Sequence, residues 1–161
     1  MQALRMDQTQ YDMIRRHGEE TFPHECCGVL LGHAEEAANV VVDAIRAGNI
    51  RTDSAHNRYQ IAPQELIRIQ REARQRGLDI VGFYHSHPDH PAQWSKTDLA
   101  EAHWFGCSYV ITSVVGLQNT GGAGTARCRA TDTNAFLLTG TVEEDKRLDA
   151  QPMEVTATVS A

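Results

Sequence analysis

Apolar residues change their spacing repeatedly along this chain, and each change marks an element. Thr9-Gln10-Tyr11-Asp12 opens a stretch of helical character that Phe22-Pro23 ends, and Cys27 to Leu31 then reads as a short buried strand. Asn39 to Ile45 is a second strand. The residues from Ala47 to Tyr59 are polar and mixed, so a loop is expected there. Pro63 sits where a first helical turn tolerates it, and Leu66, Ile69 and Ala73 share one face of a helix that Gly77 ends. Ile80-Val81-Gly82-Phe83-Tyr84 is again a buried strand. Ser95-Lys96-Thr97-Asp98 has the form of a capping box, and the stripe Leu99, Ala102, Phe105 carries the predicted helix up to Gly106. Tyr109 to Val115 is a strand, Gly116 to Gly124 a glycine-bearing loop, and Thr125 to Ala130 a segment expected to pair nearby.

From Gly140 onward the pattern weakens. Val155, Ala157 and Val159 alternate with threonine and serine, which a half-exposed strand and a loose tail would both allow. The expected organisation is therefore one domain over residues 1–139, with a C-terminal extension over 140–161. The alternating order of elements predicts the α/β class, with helices packed on a mixed sheet. A chain of 161 residues is long enough to bury one substantial core.

Composition narrows the function classes. The formal charge of −6, and the absence of any basic cluster beyond the mixed run Arg68 to Arg76, argue against a nucleic-acid surface. No apolar segment reaches membrane-spanning length, and Met1 to Asp7 does not resemble a signal peptide, so a cytoplasmic protein without membrane partners is expected. Four cysteines, two of them adjacent, do not form a secreted disulfide framework and are read as reduced thiols. The glycines near position 120 match no phosphate-binding pattern.

Chemistry concentrates in His85-Ser86-His87-Pro88, followed by Ser95 and Asp98. Alternate residues of a strand share a face, so His85 and His87 point the same way. Pro88 and Pro91 lack the backbone donor that a central strand needs, which puts both imidazoles at a strand end. Two imidazoles and a carboxylate suit Zn²⁺, and three protein ligands leave a fourth position open for water, the mark of a catalytic site. Ser95 and Asp98 also have an ordinary reading, as the cap and the dipole-complementing acid of a helix. Far upstream, Glu25 in Glu25-Cys26-Cys27-Gly28 places a carboxylate at the opening of an apolar strand.

The ordered set Glu25-Cys26-Cys27-Gly28, His85-x-His87, Ser95 and Asp98 resembles the JAMM zinc metallopeptidases, the catalytic form of the MPN domain. The segment from His85 to Asp98 is similar to that of small bacterial members acting on ubiquitin-like sulfur-carrier proteins. The resemblance implies a single MPN fold and one zinc per chain held by His85, His87 and Asp98. It implies Glu25 as general acid/base and Ser95 as stabiliser of the oxyanion. The implied reaction is hydrolysis of a peptide or isopeptide bond beside the C-terminal glycines of a ubiquitin-like protein. Trp94 departs from the smaller residue or proline of similar bacterial proteins, and is a candidate substrate contact or a shield of the core. Two rival readings remain. One is a non-catalytic MPN scaffold that binds partner proteins; the other is a binuclear metallo-β-lactamase-like hydrolase, since His85-x-His87-x-Asp89-His90 satisfies that string too.

Overall fold

The first helix is fixed by a reciprocal cap two residues before the predicted start. In the computed structural model, which describes residues 2–50, 59–117 and 127–158, Asp7 Oδ1 accepts from the Gln10 amide at 3.0 Å. The Gln10 side-chain oxygen accepts from the Asp7 amide in return at 2.9 Å, and helix α1 runs Gln8–Thr21. Strand β1, Ala3–Asp7, precedes it, and the sequence pattern missed it. Its inward residues Leu4 and Met6 are buried, but five residues offer too short an alternation to stand out. Strands β2 (Cys27–Ala34) and β3 (Ala38–Ala47) extend the predicted runs into a hairpin. Helix α2 (Pro63–Gln75) begins at the expected proline, and β4 (Asp79–Pro88) carries both histidines to its last residues.

Helix α3 is a correction. It covers only Lys96–Glu101 and stops short of the predicted Gly106, so Phe105 is not on a buried helical stripe but 40% exposed. The physical reason is remote in sequence: the Lys146 ammonium donates to the carbonyls of Ala100 and Ala102 at 3.1 and 2.9 Å, satisfying acceptors at the helix end. Strand β5 (Ser108–Gly116) follows, then β6 (Cys128–Thr139), which runs well beyond the predicted Thr125 to Ala130. Most of the expected loops Ala47 to Tyr59 and Gly116 to Gly124 lie outside the described residues, as do Thr125, His56 and Val159.

In the region from Gly140, where strand and tail both stood open, the chain forms β7 (Arg147–Gln151) and β8 (Met153–Thr156). Among the described residues eight strands order as β7-β6-β5-β4-β2-β3-β1-β8, with β4/β5, β1/β3 and β1/β8 parallel and the remaining pairs antiparallel. Consecutive strands β7 and β8 thus hold opposite edges of one sheet with only Pro152 between them, which requires the sheet to curl. The Pro152 carbonyl accepts from the Leu4 amide at 2.8 Å and ties the crossing to β1.

Helices cover both faces. Ile14 of α1 packs with Leu4, Leu30, Tyr84 and Val110 on one face, while Ile69 and Ala73 of α2 join Val29, Phe83, Tyr109 and Ile111 on the other. Gly28 is required by this packing, because a Cβ there would collide with the Tyr84 ring. The fold is α/β, a mixed, curled sheet with three α-helices among the described residues. Among the described residues no helix is long and apolar enough to cross a membrane.

Candidate functional site

His85 and His87 stand side by side at the end of β4, and the parallel neighbour β5 pairs with them through Ile111 and Ser113. Their shared facing brings the two Nε2 atoms to 3.1 Å. The chain then turns out of the sheet at Asp89, whose backbone is in the left-handed region at φ 55° and whose carboxylate accepts from the Gly116 amide at 2.8 Å. That turn returns the loop over the strand end, and α3 begins there with Ser95 as its cap. Ser95 Oγ accepts from the Asp98 amide at 3.0 Å, and Asp98 Oδ2 accepts from the Ser95 amide at 2.9 Å. The capping box leaves the Asp98 carboxylate aimed at the imidazoles, with Oδ1 3.2 Å from His85 Nε2 and Oδ2 3.1 Å from His87 Nε2. The structural and the chemical readings of Ser95 and Asp98 are therefore compatible, since one geometry serves both.

Glu25 lies two residues before β2, which pairs with β4 so that Cys27 lies opposite His85. It is buried, its Oε1 has no hydrogen-bond partner among the described residues, and it can offer an oxygen within 4.8 Å of a nitrogen of each histidine. Two donor triads are thus available, the histidines with Glu25 and the histidines with Asp98. The second is tighter, at 3.1–3.2 Å. A tetrahedral zinc with bonds of ~2.0–2.1 Å separates its ligand atoms by roughly 3.3–3.4 Å. The two imidazole nitrogens and the Asp98 oxygens sit at about that spacing with no protein atom needed between them, so this donor set fits a zinc ion.

Electrostatics separates the two carboxylates. For Asp98, burial alone would raise the pKa, but hydrogen bonds from His85 and His87 hold the carboxyl far below the usual range. For Glu25 burial dominates and pushes the carboxyl up to about 8, over the opposing influence of His87. Burial also drives the wholly enclosed His85 below the ordinary histidine range in spite of Asp98. At His87 the same burial is outweighed by Asp98 and the Pro91 carbonyl, and the shift is upward. The Pro91 oxygen lies 2.8 Å from His87 Nδ1 and keeps a proton there, so a cation at the centre would meet Nε2 once it displaced the proton that Nε2 shares with Asp98.

A cavity of about 420 Å³ opens over the centre, lined by Glu25, His87, His90, Trp94 and Ser95 among others. Trp94 is 38% exposed in that lining, which is not the position of a core shield. Asp89 accepts from Gly116 and His90 lines the cavity without joining the donor cluster, so among the described residues the string HxHxDH gathers no second set of ligands. Cys26 and Cys27 are free and buried, and burial pushes the Cys26 thiol up to about 11, far from a reactive thiolate. Sequence reasoning did not find Tyr59, whose ring stacks on His85 at a centroid distance of 4.5 Å, or the Pro91 carbonyl. Tyr59 carried only the signal of an aromatic in an otherwise polar stretch, and a backbone acceptor leaves no signal in residue type.

Known proteins resemble this chain in sequence and in fold. A family model described as prokaryotic homologs of the JAB domain matches residues 7–129. A desampylase from Haloferax volcanii is 37% identical over 106 residues, covering 63% of this chain and 74% of that protein. COP9 signalosome complex subunit 5 from Eremothecium gossypii is 33% identical over 85 residues, 53% of this chain, and the match spans only 20% of that longer protein. A solution structure from Desulfitobacterium hafniense superposes with a TM-score of 0.74 at 20% identity, covering 97% of this chain and 94% of that one. Another from Salinibacter ruber gives 0.66 at 32% identity, covering 94% and 90%. With the match extending from the end of β1 into β6, the chain belongs to the JAB/MPN family, among the prokaryotic homologues of the JAB domain.

Proposed function

We propose that this protein is a zinc metallopeptidase of the JAMM type that hydrolyses a peptide or isopeptide bond beside the C-terminal glycines of a ubiquitin-like, sulfur-carrier protein. The observation that carries the reading is the convergence of His85, His87 and Asp98 at 3.1–3.2 Å beside a buried Glu25 whose Oε1 has no partner among the described residues. The substrate class follows from the family resemblance and from the Haloferax relative that is named a desampylase.

Zinc held by His85, His87 and Asp98, one per chain, would supply Lewis acidity that acidifies water and polarises a carbonyl. Glu25 Oε1 is the base that takes the proton from the attacking water and hands it to the leaving amine. A carboxyl lifted by burial to about 8 can do both near neutrality, because its two protonation states are close in energy. A cation beside it lowers that value and favours the base form at the start of the cycle. Ser95 Oγ uses a lone pair on the Asp98 amide, so its hydrogen is free to point to the carbonyl oxygen as negative charge gathers there. Asp98 fixes both imidazoles, and the Pro91 carbonyl fixes the proton of His87 on Nδ1. Trp94 provides an aromatic surface in the cavity wall on which an extended tail packs. No covalent enzyme intermediate is required.

The test joins metal content to turnover. The purified protein is expected to hold about one zinc per chain by elemental analysis. It is expected to cleave a ubiquitin-like protein extended beyond its terminal glycines. Glu25→Gln should keep zinc and fold while hydrolysis falls by about 10²–10⁴-fold. Undiminished hydrolysis by that variant would sink the mechanism, and a protein that takes up no zinc on reconstitution would leave the scaffold reading in its place.

A further inference from the structure

The two histidines of the centre are held in different ways. His87 Nδ1 lies 2.8 Å from the Pro91 carbonyl, whereas the buried Nδ1 of His85 has no hydrogen-bond partner among the described residues. A histidine that binds a metal through one ring nitrogen is usually oriented by an acceptor on the other. Asp98 Oδ1 holds His85 from the Nε2 side at 3.2 Å, but a cation at Nε2 would take that nitrogen's lone pair and end the hydrogen bond. Something other than hydrogen bonding then has to fix the plane of this ring.

The group in place to do so is Tyr59. Its ring lies against the His85 imidazole with centroids 4.5 Å apart and planes 24° from parallel, a stacked aromatic pair. Tyr59 is itself placed by residues that also reach the acid/base. Its neighbour Gln60 donates its amide to Asn49 Oδ1 at 3.0 Å, and the Gln60 carbonyl accepts from the Ile50 amide at 2.9 Å. Asn49 and Ile61 form an antiparallel bridge, and Asn49 Nδ2 donates to the Glu25 carbonyl at 3.3 Å. One short pairing therefore carries both the ring that backs His85 and a hold on the main chain of Glu25. Tyr59 also lines a cavity of about 220 Å³ with Ile61, Leu66 and Trp104 among others, so packing alone is the competing account of its place.

We infer that Tyr59 is a positioning residue for the metal centre, its ring setting the plane of the His85 imidazole as the Pro91 carbonyl sets that of His87. That His85 Nε2 is a metal ligand rests on the metallopeptidase reading, whereas the stack is present without a metal. A ring already held in its binding orientation has little freedom left to lose when a cation arrives, which favours affinity through preorganisation. The aromatic face supplies this restraint and the hydroxyl does not, so phenylalanine serves at position 59 and an aliphatic side chain does not.

The experiment uses the full chain with Tyr59→Phe, Tyr59→Leu and, as a packing control from the same cavity, Leu66→Ala. In the metal-free parent, the His85 ring protons should resonate upfield under the Tyr59 face. In metal-free Tyr59→Leu, ¹³C relaxation should show the His85 ring more mobile than in the parent or Tyr59→Phe, with His87 unchanged. In zinc titrations against a chromophoric chelator, Tyr59→Leu should bind about 10–100-fold more weakly, as loss of a support behind a metal ligand does. Its cobalt(II) form should show a shifted visible spectrum, while Tyr59→Phe and Leu66→Ala keep the parent's affinity and spectrum. No upfield shift in the parent, an equally rigid His85 ring in Tyr59→Leu, or an equal loss of zinc affinity in Leu66→Ala would overturn the assignment and leave Tyr59 a packing residue. A parent that binds neither zinc nor cobalt would instead sink the metallopeptidase reading, and the His85 ring signals of the metal-free chains would still decide what Tyr59 does.

Discussion

Strand β4 presents two buried histidine environments on opposite faces, one residue apart, and they solve the same problem differently. On the α1 side, Tyr84 hydroxyl meets His17 Nδ1 at 2.8 Å, and burial lowers the His17 pKa to about 4, so a neutral imidazole is held by a neutral partner. On the other side, His85 and His87 turn Nε2 atoms toward each other and toward a carboxylate, and Glu25 Oε1 and His85 Nδ1 are left without partners among the described residues. The first pair is closed and self-sufficient. The second concentrates lone pairs on one point and leaves polar atoms open, an arrangement that packing alone disfavours and that a cation stabilises. The contrast separates a polar group that holds a fold together from one that serves chemistry.

The largest effect is expected from removing the open side's carboxylate. Asp98→Ala should abolish zinc retention and hydrolysis together, checked by elemental analysis and a cleavage assay, while also costing roughly 0.3–1 kcal/mol of stability through the helix start. Retained zinc with only that loss of stability would reduce Asp98 to a helix cap. Ser95→Ala should keep the metal and lower the hydrolytic rate by about 10²–10³-fold, as loss of one donor to a developing oxyanion does. On the closed side, Tyr84→Phe should leave zinc content and hydrolysis unchanged and cost about 1–3 kcal/mol in urea unfolding, since His17 loses its buried partner. A loss of metal in that variant would erase the distinction between the two faces.

The smallest effect is a pH dependence. The unfolded chain protonates His17 near pH ~6.5, whereas the folded chain resists down to about 4, so as pH falls through that window the unfolded state gains protons first. The His17 contribution to stability is complete above ~6.5, declines on acidification and levels off below about 4. Relative to a His17→Gln variant, the parent should lose on the order of 2 kcal/mol between pH 7 and pH 4, read from paired denaturation curves. Parallel curves would show that the imidazole is not held neutral.

The donor cluster was legible because each member sits where a local rule puts it. A period of two aligns His85 with His87, prolines end the strand, and a capping box aims Asp98. Glu25 was legible only through the family pattern, because nothing local says that β2 and β4 pair with Cys27 opposite His85. What escaped is mostly set by distant partners. Lys146 ends α3 from forty-odd residues away, and β1 and β7 gain their strand character from neighbours rather than from runs of apolar residues. Arg147-Leu148-Asp149-Ala150-Gln151 carries a single large apolar side chain, yet Leu148 is buried in the core.

The crossing at Pro152 bears on the order in which this molecule is assembled. Strands β7 and β8 are short, carry Arg147, Asp149 and Glu154, and occupy the two outer positions of the sheet, so they blunt both edges. During synthesis they emerge after every other strand, and until they do, β6 at one end and β1 at the other present unpaired backbone to any passing chain. The interval between translation of Thr139 and of Thr156 is therefore when a nascent copy is most exposed to sticking to another, and a slow codon or a stalled ribosome there would lengthen it.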